Sequence, residues 1–136
     1  MRAIGLDVGE SRIGVAATDP LGMTAQPLET IKRDDGSVKR VADLVRELEA
    51  DAVVVGLPLL MDGSEGEQAR KVRRFAEELG DSIEVPINLV DERLTTKEAE
   101  AVLIQGRLRR GKRREATDRV AAALILRAYI DSLPEE

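Results

Sequence analysis

The chain contains no cysteine, no histidine and no tryptophan, and its only aromatic rings are Phe75 and Tyr129. Without cysteine there is no disulfide framework, no thiol nucleophile and no thiolate zinc site. Without histidine there is no imidazole base, so any catalysis falls to carboxylates, Lys, Tyr, Ser or Thr, usually with a bound cation. Two aromatic rings cannot form a platform on which successive bases stack, so a nucleic-acid partner would be read through its backbone and shape. No apolar run reaches membrane-spanning length, and the amino terminus leads into a strand without a signal-peptide pattern; the expectation is a cytoplasmic protein with no membrane partner. What is present is a chain of 136 residues with 43% hydrophobic content, enough for one core and short for two, which predicts a single domain over residues 1–136.

The net charge of −5 argues against non-specific attraction to nucleic acid, but its distribution does not. Arg107, Arg109, Arg110, Lys112, Arg113 and Arg114 crowd positive charge into one short stretch around Gly111, leaving the rest of the chain still more acidic. A basic segment on an acidic body suits local contact with phosphates; a solvated loop or helix end is the plainer account of the same run.

The stretch Ala3 to Ala17 organises the rest. Apolar runs Ile4 to Val8 and Ile13 to Ala17 flank Gly9-Glu10-Ser11-Arg12, a hairpin signal. Asp7 is a carboxylate in an otherwise apolar strand and needs compensation. Gly5, Gly9 and Gly14 would let a phosphate, a metal or another strand approach it, although a hairpin aspartate also commonly bonds turn amides.

Downstream, Met23 to Ile31 suits an edge strand because of Pro27, and extends the hairpin to a meander. Ser37 is placed to cap a helix running to about Ala50. Ala52 to Leu57 reads as a parallel strand covered on both faces and ends at Pro58. Asp62-Gly63-Ser64 reads as a linker, with an anion site as the other possibility. A second helix follows over Glu65 to Leu79, and Ile87 to Val90 forms a further strand running into Asp91-Glu92-Arg93. A third helix is predicted from about Thr96 to Gly106, then the basic loop, then a last helix from Ala116 to about Ser132 with Asp118 in its first turn. Three strands followed by helix, strand, helix, strand, helix, helix predict a five-stranded mixed sheet with helices on both faces. In such a sheet sites collect at the carboxyl ends of parallel strands, where Asp7, Asp91 or Glu92, and Asp118 can converge.

Carboxylates gathered in this way repel unless some stay protonated or a cation neutralises them. Oxygen donors without histidine or cysteine favour Mg²⁺ or Mn²⁺ over zinc, and such ions assist phosphodiester cleavage. Taken singly, Asp118 could serve a helix amino end and Asp91 or Glu92 could pair with Arg93. Strand alternation puts Asp91 and Glu92 on opposite faces without saying which one faces Asp7.

Asp7-Val8-Gly9-Glu10-Ser11-Arg12-Ile13-Gly14, Gly56-Leu57-Pro58 with Asp62-Gly63-Ser64, Asp91-Glu92-Arg93-Leu94-Thr95-Thr96, and Lys112 followed by Asp118 and Ala121 to Leu126 together resemble the YqgF (RuvX) family over nearly the whole chain. That family comprises pre-16S rRNA nucleases or Holliday junction resolvase-like proteins of the ribonuclease H-like superfamily. The resemblance implies a ribonuclease H-like fold and a metal-dependent endonuclease acting in ribosome biogenesis at the 5′ end of pre-16S rRNA. It also implies Asp7, Glu92 and Asp118 as catalytic carboxylates holding Mg²⁺ or Mn²⁺. Related resolvases use four acidic positions, and here Glu115 or Asp91 would have to supplement the three, neither of them assigned that role by the resemblance. The expected partner is structured RNA or branched DNA, bound by Arg107 to Arg114; a resolvase of four-way junctions would be a homodimer, a processing enzyme a monomer or homodimer. Two other functions fit parts of the pattern. A non-catalytic RNA-binding assembly factor would use the acidic residues for structure alone, and an actin-like ATPase or sugar kinase would use the Asp7 hairpin to hold nucleotide phosphates, though such enzymes need a second domain.

Overall fold

Alternation along the first strand sorts its residues between two different environments, and the whole architecture follows from that. In the computed structural model, which describes residues 1–92 and 110–133, strand β1 spans Ala3–Val8, β2 Arg12–Thr18, β3 Ala25–Lys32, β4 Ala52–Leu57 and β5 Ile87–Asp91. They form one sheet in the order β3-β2-β1-β4-β5. β1 to β3 are an antiparallel meander, whereas β4 runs parallel to β1 and β5 parallel to β4. Pro27 sits in β3 at the sheet edge, as its missing donor requires, and the register of β2 with β3 shifts between Val15 and Ala16, where Ala16 faces Pro27.

Helices α1 (Ser37–Glu47) and α2 (Glu67–Gly80) cover one face, and α3 (Arg110–Ser132) covers the other. On the α1/α2 side, Ile4, Leu6, Val8, Val53 and Val55 meet Val41, Leu44, Val72, Phe75 and Leu79. On the α3 side, the small residues Ala3, Ala16 and Ala52, with Val54, meet Ala122, Ile125 and Leu126. The interior strand β4 is buried along its full length, the double cover expected of its valine run.

Three local expectations are corrected. Ser37 is not the cap of α1: the N-cap is Gly36, and Ser37 is a buried first residue. Its Oγ accepts from the Asp34 amide (2.8 Å) and donates toward the Asp34 and Lys32 carbonyls, fastening the turn between β3 and α1. The same helix stops at Glu47 rather than near Ala50 because Glu49 takes a left-handed conformation (φ 51°). The amides of Glu49 and Ala50 then return to the carbonyls of Arg46 and Val45, a Schellman ending built without glycine.

The last helix begins at Arg110 rather than Ala116. Arg110, Lys112, Arg113 and Arg114 are therefore on helix rather than in a loop, because a run rich in Arg, Lys and Glu propagates a helix well enough to absorb the ~1 kcal/mol cost of Gly111. Asp118 accordingly lies in the third turn, so stabilisation of a helix amino end is not what places it there. Arg107, Arg109 and the helix predicted over Thr96 to Gly106 lie outside the described residues.

Candidate active site

Asp7 is the next-to-last residue of β1 and shares its face with Gly5, on the α3 side, while Leu6 and Val8 point into the α1/α2 core. Directly across the hairpin its partner on β2 is Gly14. Of the three glycines named from the sequence, Gly5 and Gly14 admit a helix, and Gly9 closes against the Arg12 carbonyl within the hairpin. A Cβ on Gly14 would lie 1.8 Å from the Asp118 carbonyl oxygen, one on Gly5 2.7 Å from that of Ala122, and one on Gly56 2.4 Å from Ile125 Cδ1. Glycine on three adjacent strands lets α3 settle directly onto the sheet and carries Asp118 toward the end of β1.

The choice between Asp91 and Glu92 is resolved by the same alternation. Ile87 and Leu89 pack into the α1/α2 core and Val90 into the α3 cluster, so Asp91 falls on the α1/α2 side and Glu92 on the side of Asp7. Glu92 lies just past β5, and its carboxyl carbon is 3.4 Å from where a Cβ on Gly56 would stand. It is hydrogen-bonded to Asp7. Burial first, then that bond, then the charges of Glu92 and Asp118 push the Asp7 carboxyl up from 3.8 to about 9. A carboxyl held protonated by burial first and by two neighbouring acids second is one whose charged form a cation would stabilise.

Asp118 meets a different partner as well. Arg12, at the start of β2, donates from Nε to Asp118 Oδ2 at 2.6 Å. Next to it, Arg119 reaches Thr30 Oγ1 on β3 at 3.2 Å, fixing the helix against the meander. Among the described residues no three His, Cys, Asp or Glu side chains form a metal site as they are placed. Asp7 and Glu92 are nevertheless paired oxygen donors with an unresolved like-charge conflict, the chemistry that fits a hard divalent cation, with Asp118 within electrostatic range. Sequence reasoning missed Arg12, whose partner is 106 positions away; only its place in the hairpin motif marked it.

The remaining candidates are plainer. Ser64 turns both its amide and its hydroxyl onto Asp62 Oδ1, at 2.9 and 2.6 Å, closing the Asp62-Gly63-Ser64 turn on itself rather than toward an anion. Arg110, Lys112, Arg113 and Arg114 stand on the helix that carries Asp118, about 12 Å of helical rise or less from it at 1.5 Å per residue.

A family model described as RuvX, Holliday junction resolvase, matches residues 1–132. A relative from Desulforamulus reducens bearing the name "Putative pre-16S rRNA nuclease" is 47% identical over 134 residues, covering 97% of this chain and 98% of its own. One of the same name from Clostridium tetani is 45% identical over 135 residues, 98% of each chain. Among solved structures, Fowlpox virus resolvase with Holliday junction DNA is similar in fold at a TM-score of 0.62 and 16% identity, covering 99% of this chain and 100% of the other. T. thermophilus RuvC with its Holliday junction substrate is similar at a TM-score of 0.53 and 21% identity, covering 96% of each. These likenesses bear out the ribonuclease H-like sheet, and the sequence matches carry more: the chain belongs to the RuvX family.

Proposed function

We propose that this protein is a divalent-cation-dependent endonuclease that hydrolyses phosphodiester bonds in structured RNA, trimming the 5′ end of pre-16S rRNA in the cytoplasm. The observation that supports the reading is the Asp7–Glu92 carboxyl pair at the carboxyl ends of β1 and β5, with Asp118 of α3 near enough to act electrostatically on Asp7. Family membership and the names of the relatives supply the substrate.

Asp7 and Glu92, joined by Asp118, would hold Mg²⁺ or Mn²⁺. When bound, such a cation supplies the positive charge that eases ionisation of water and offsets charge at the phosphate and the leaving oxygen. Asp7 holds a proton at its carboxyl in the cation-free protein and must give it up to become a ligand. Arg107, Arg109, Arg110, Lys112, Arg113 and Arg114 seat the nucleic-acid backbone, and with only Phe75 and Tyr129 as rings, recognition is by shape.

Purified protein tested on pre-rRNA, single-stranded RNA and four-way DNA junctions with Mg²⁺ and Mn²⁺ decides the matter. Metal-dependent cutting of pre-rRNA, lost in Asp7→Asn while binding persists, is the expected outcome. Processing that survives Asp7→Asn favours a non-catalytic assembly factor instead. The family description favours one second reading, resolution of four-way DNA junctions. Paired symmetric cuts on the junction by a homodimer, with pre-rRNA untouched, would establish it in place of the first.

A further inference from the structure

Arg12 and Asp118 reach each other from backbones that are fixed independently. Arg12 opens β2 and is paired across the sheet with Lys32 of β3. The Asp118 carbonyl rests over Gly14, and the following residue is tied to Thr30. The 2.6 Å hydrogen bond is thus a choice of side-chain direction rather than the anchor of the helix. Both side chains are partly open to solvent, at 36% for Arg12 and 18% for Asp118, so an incoming group can reach the pair. Asp118 also acts electrostatically on Asp7. One carboxylate is therefore shared between the Arg12 guanidinium and the field it exerts on Asp7, and it cannot serve both fully.

A phosphodiester is the natural competitor for that guanidinium, since arginine's planar fork binds phosphate oxygens through two parallel bonds and Asp118 uses only Nε. We propose that Arg12 is a positioning residue that acts as a latch: it holds Asp118 in the free protein, and a substrate phosphodiester, by taking over the guanidinium, releases Asp118 to complete the cation site. The proposal rests on the nuclease reading of that site. It makes the third ligand available only when nucleic acid is in place, so that substrate and cation favour each other's binding.

The test is Mn²⁺ affinity by isothermal titration calorimetry without nucleic acid, for wild type, Arg12→Gln, Arg12→Lys, Asp118→Asn and the double variant Arg12→Gln/Asp118→Asn. Arg12→Gln should bind Mn²⁺ about tenfold more tightly than wild type, within the usual range of coupling between sites. Arg12→Lys, which keeps the charge, should lie closer to wild type. In the Asp118→Asn background the Arg12→Gln change should shift affinity by about twofold or less, because its effect runs through Asp118. In EDTA, Arg12→Gln should also weaken binding of an RNA hairpin. An equal gain with and without Asp118 would mean that Arg12 merely repels cations, and would overturn the latch. So would unchanged or weaker Mn²⁺ binding in Arg12→Gln when Asp7→Asn still abolishes it. If neither wild type nor Arg12→Gln shows Mn²⁺ binding that Asp7→Asn removes, the cation site fails and the latch fails with it.

Discussion

Asp7 is the residue at which folding and function oppose each other. Its carboxyl is raised from 3.8 to about 9, so between those values the folded chain keeps a proton that the unfolded chain has released. The favourable contribution is complete below about 3.8, declines as pH rises, and is gone above about 9, with a slope of at most about 1.4 kcal/mol per pH unit for one proton. Asparagine has no such slope. In EDTA, denaturant unfolding of Asp7→Asn against wild type should therefore show a stability advantage for the variant that widens from pH 5 to pH 8, alongside loss of cleavage; a constant difference would remove the buried-proton account. The neighbouring pair Asp91 and Glu92 gives a second prediction. Glu92→Gln should lower kcat by about two orders of magnitude or more, as losing a group that acts on the transition state does. Asp91→Asn, on the opposite face, should stay within severalfold of wild type.

At the scale of elements, the central device is the glycine seat under α3. Gly14→Ala places a Cβ 1.8 Å from the Asp118 carbonyl, backbone against backbone, and only movement of the helix relieves it. An ångström of displacement at a reacting group costs about a hundredfold in rate, so Gly14→Ala should lose activity well beyond its loss of thermal stability, measured on the same preparation. The basic run leading into α3 carries the other prediction at this scale. Neutralising Arg109, Arg110 and Arg113 together should weaken RNA binding and flatten the dependence of log affinity on log salt by ~0.7–0.9 for each phosphate that is no longer neutralised. An unchanged slope would place the backbone-binding surface elsewhere.

For the whole molecule, the cation is predicted to be a stability term as well as a reagent. A ligand at a hundred times its dissociation constant stabilises the state that binds it by about 2.7 kcal/mol. Mn²⁺ should thus raise the melting temperature of wild type, and Asp7→Asn should lose that increment, which differential scanning fluorimetry reads without any substrate. Much of the architecture was legible beforehand because the chain's local patterns agree with its fold. The valine run Val53 to Val55 is of the kind expected for a doubly covered strand, Pro27 marked an edge, and the apolar spacing of Val41, Val45, Val72 and Leu79 marked helices with one packed face. Ser37 and Glu49 were not legible as an interior turn fastener and a left-handed helix stop, because both depend on hydrogen bonds that a spacing rule does not contain. The helix α3 starts earlier than the expected Ala116 because the cost of Gly111 is small against a helix of 23 residues. Residue types alone limit the side chains available for catalysis, with no cysteine or histidine, acids in three distant motifs and a basic run leading into the last helix. Packing in three dimensions turns Glu92 rather than Asp91 toward Asp7, lowers α3 onto three glycines of the strands, and brings Asp118 to Arg12. The reason is physical: residue type fixes what a side chain can do, but which groups meet across 106 positions is set by strand alternation and by how closely one helix can approach one sheet.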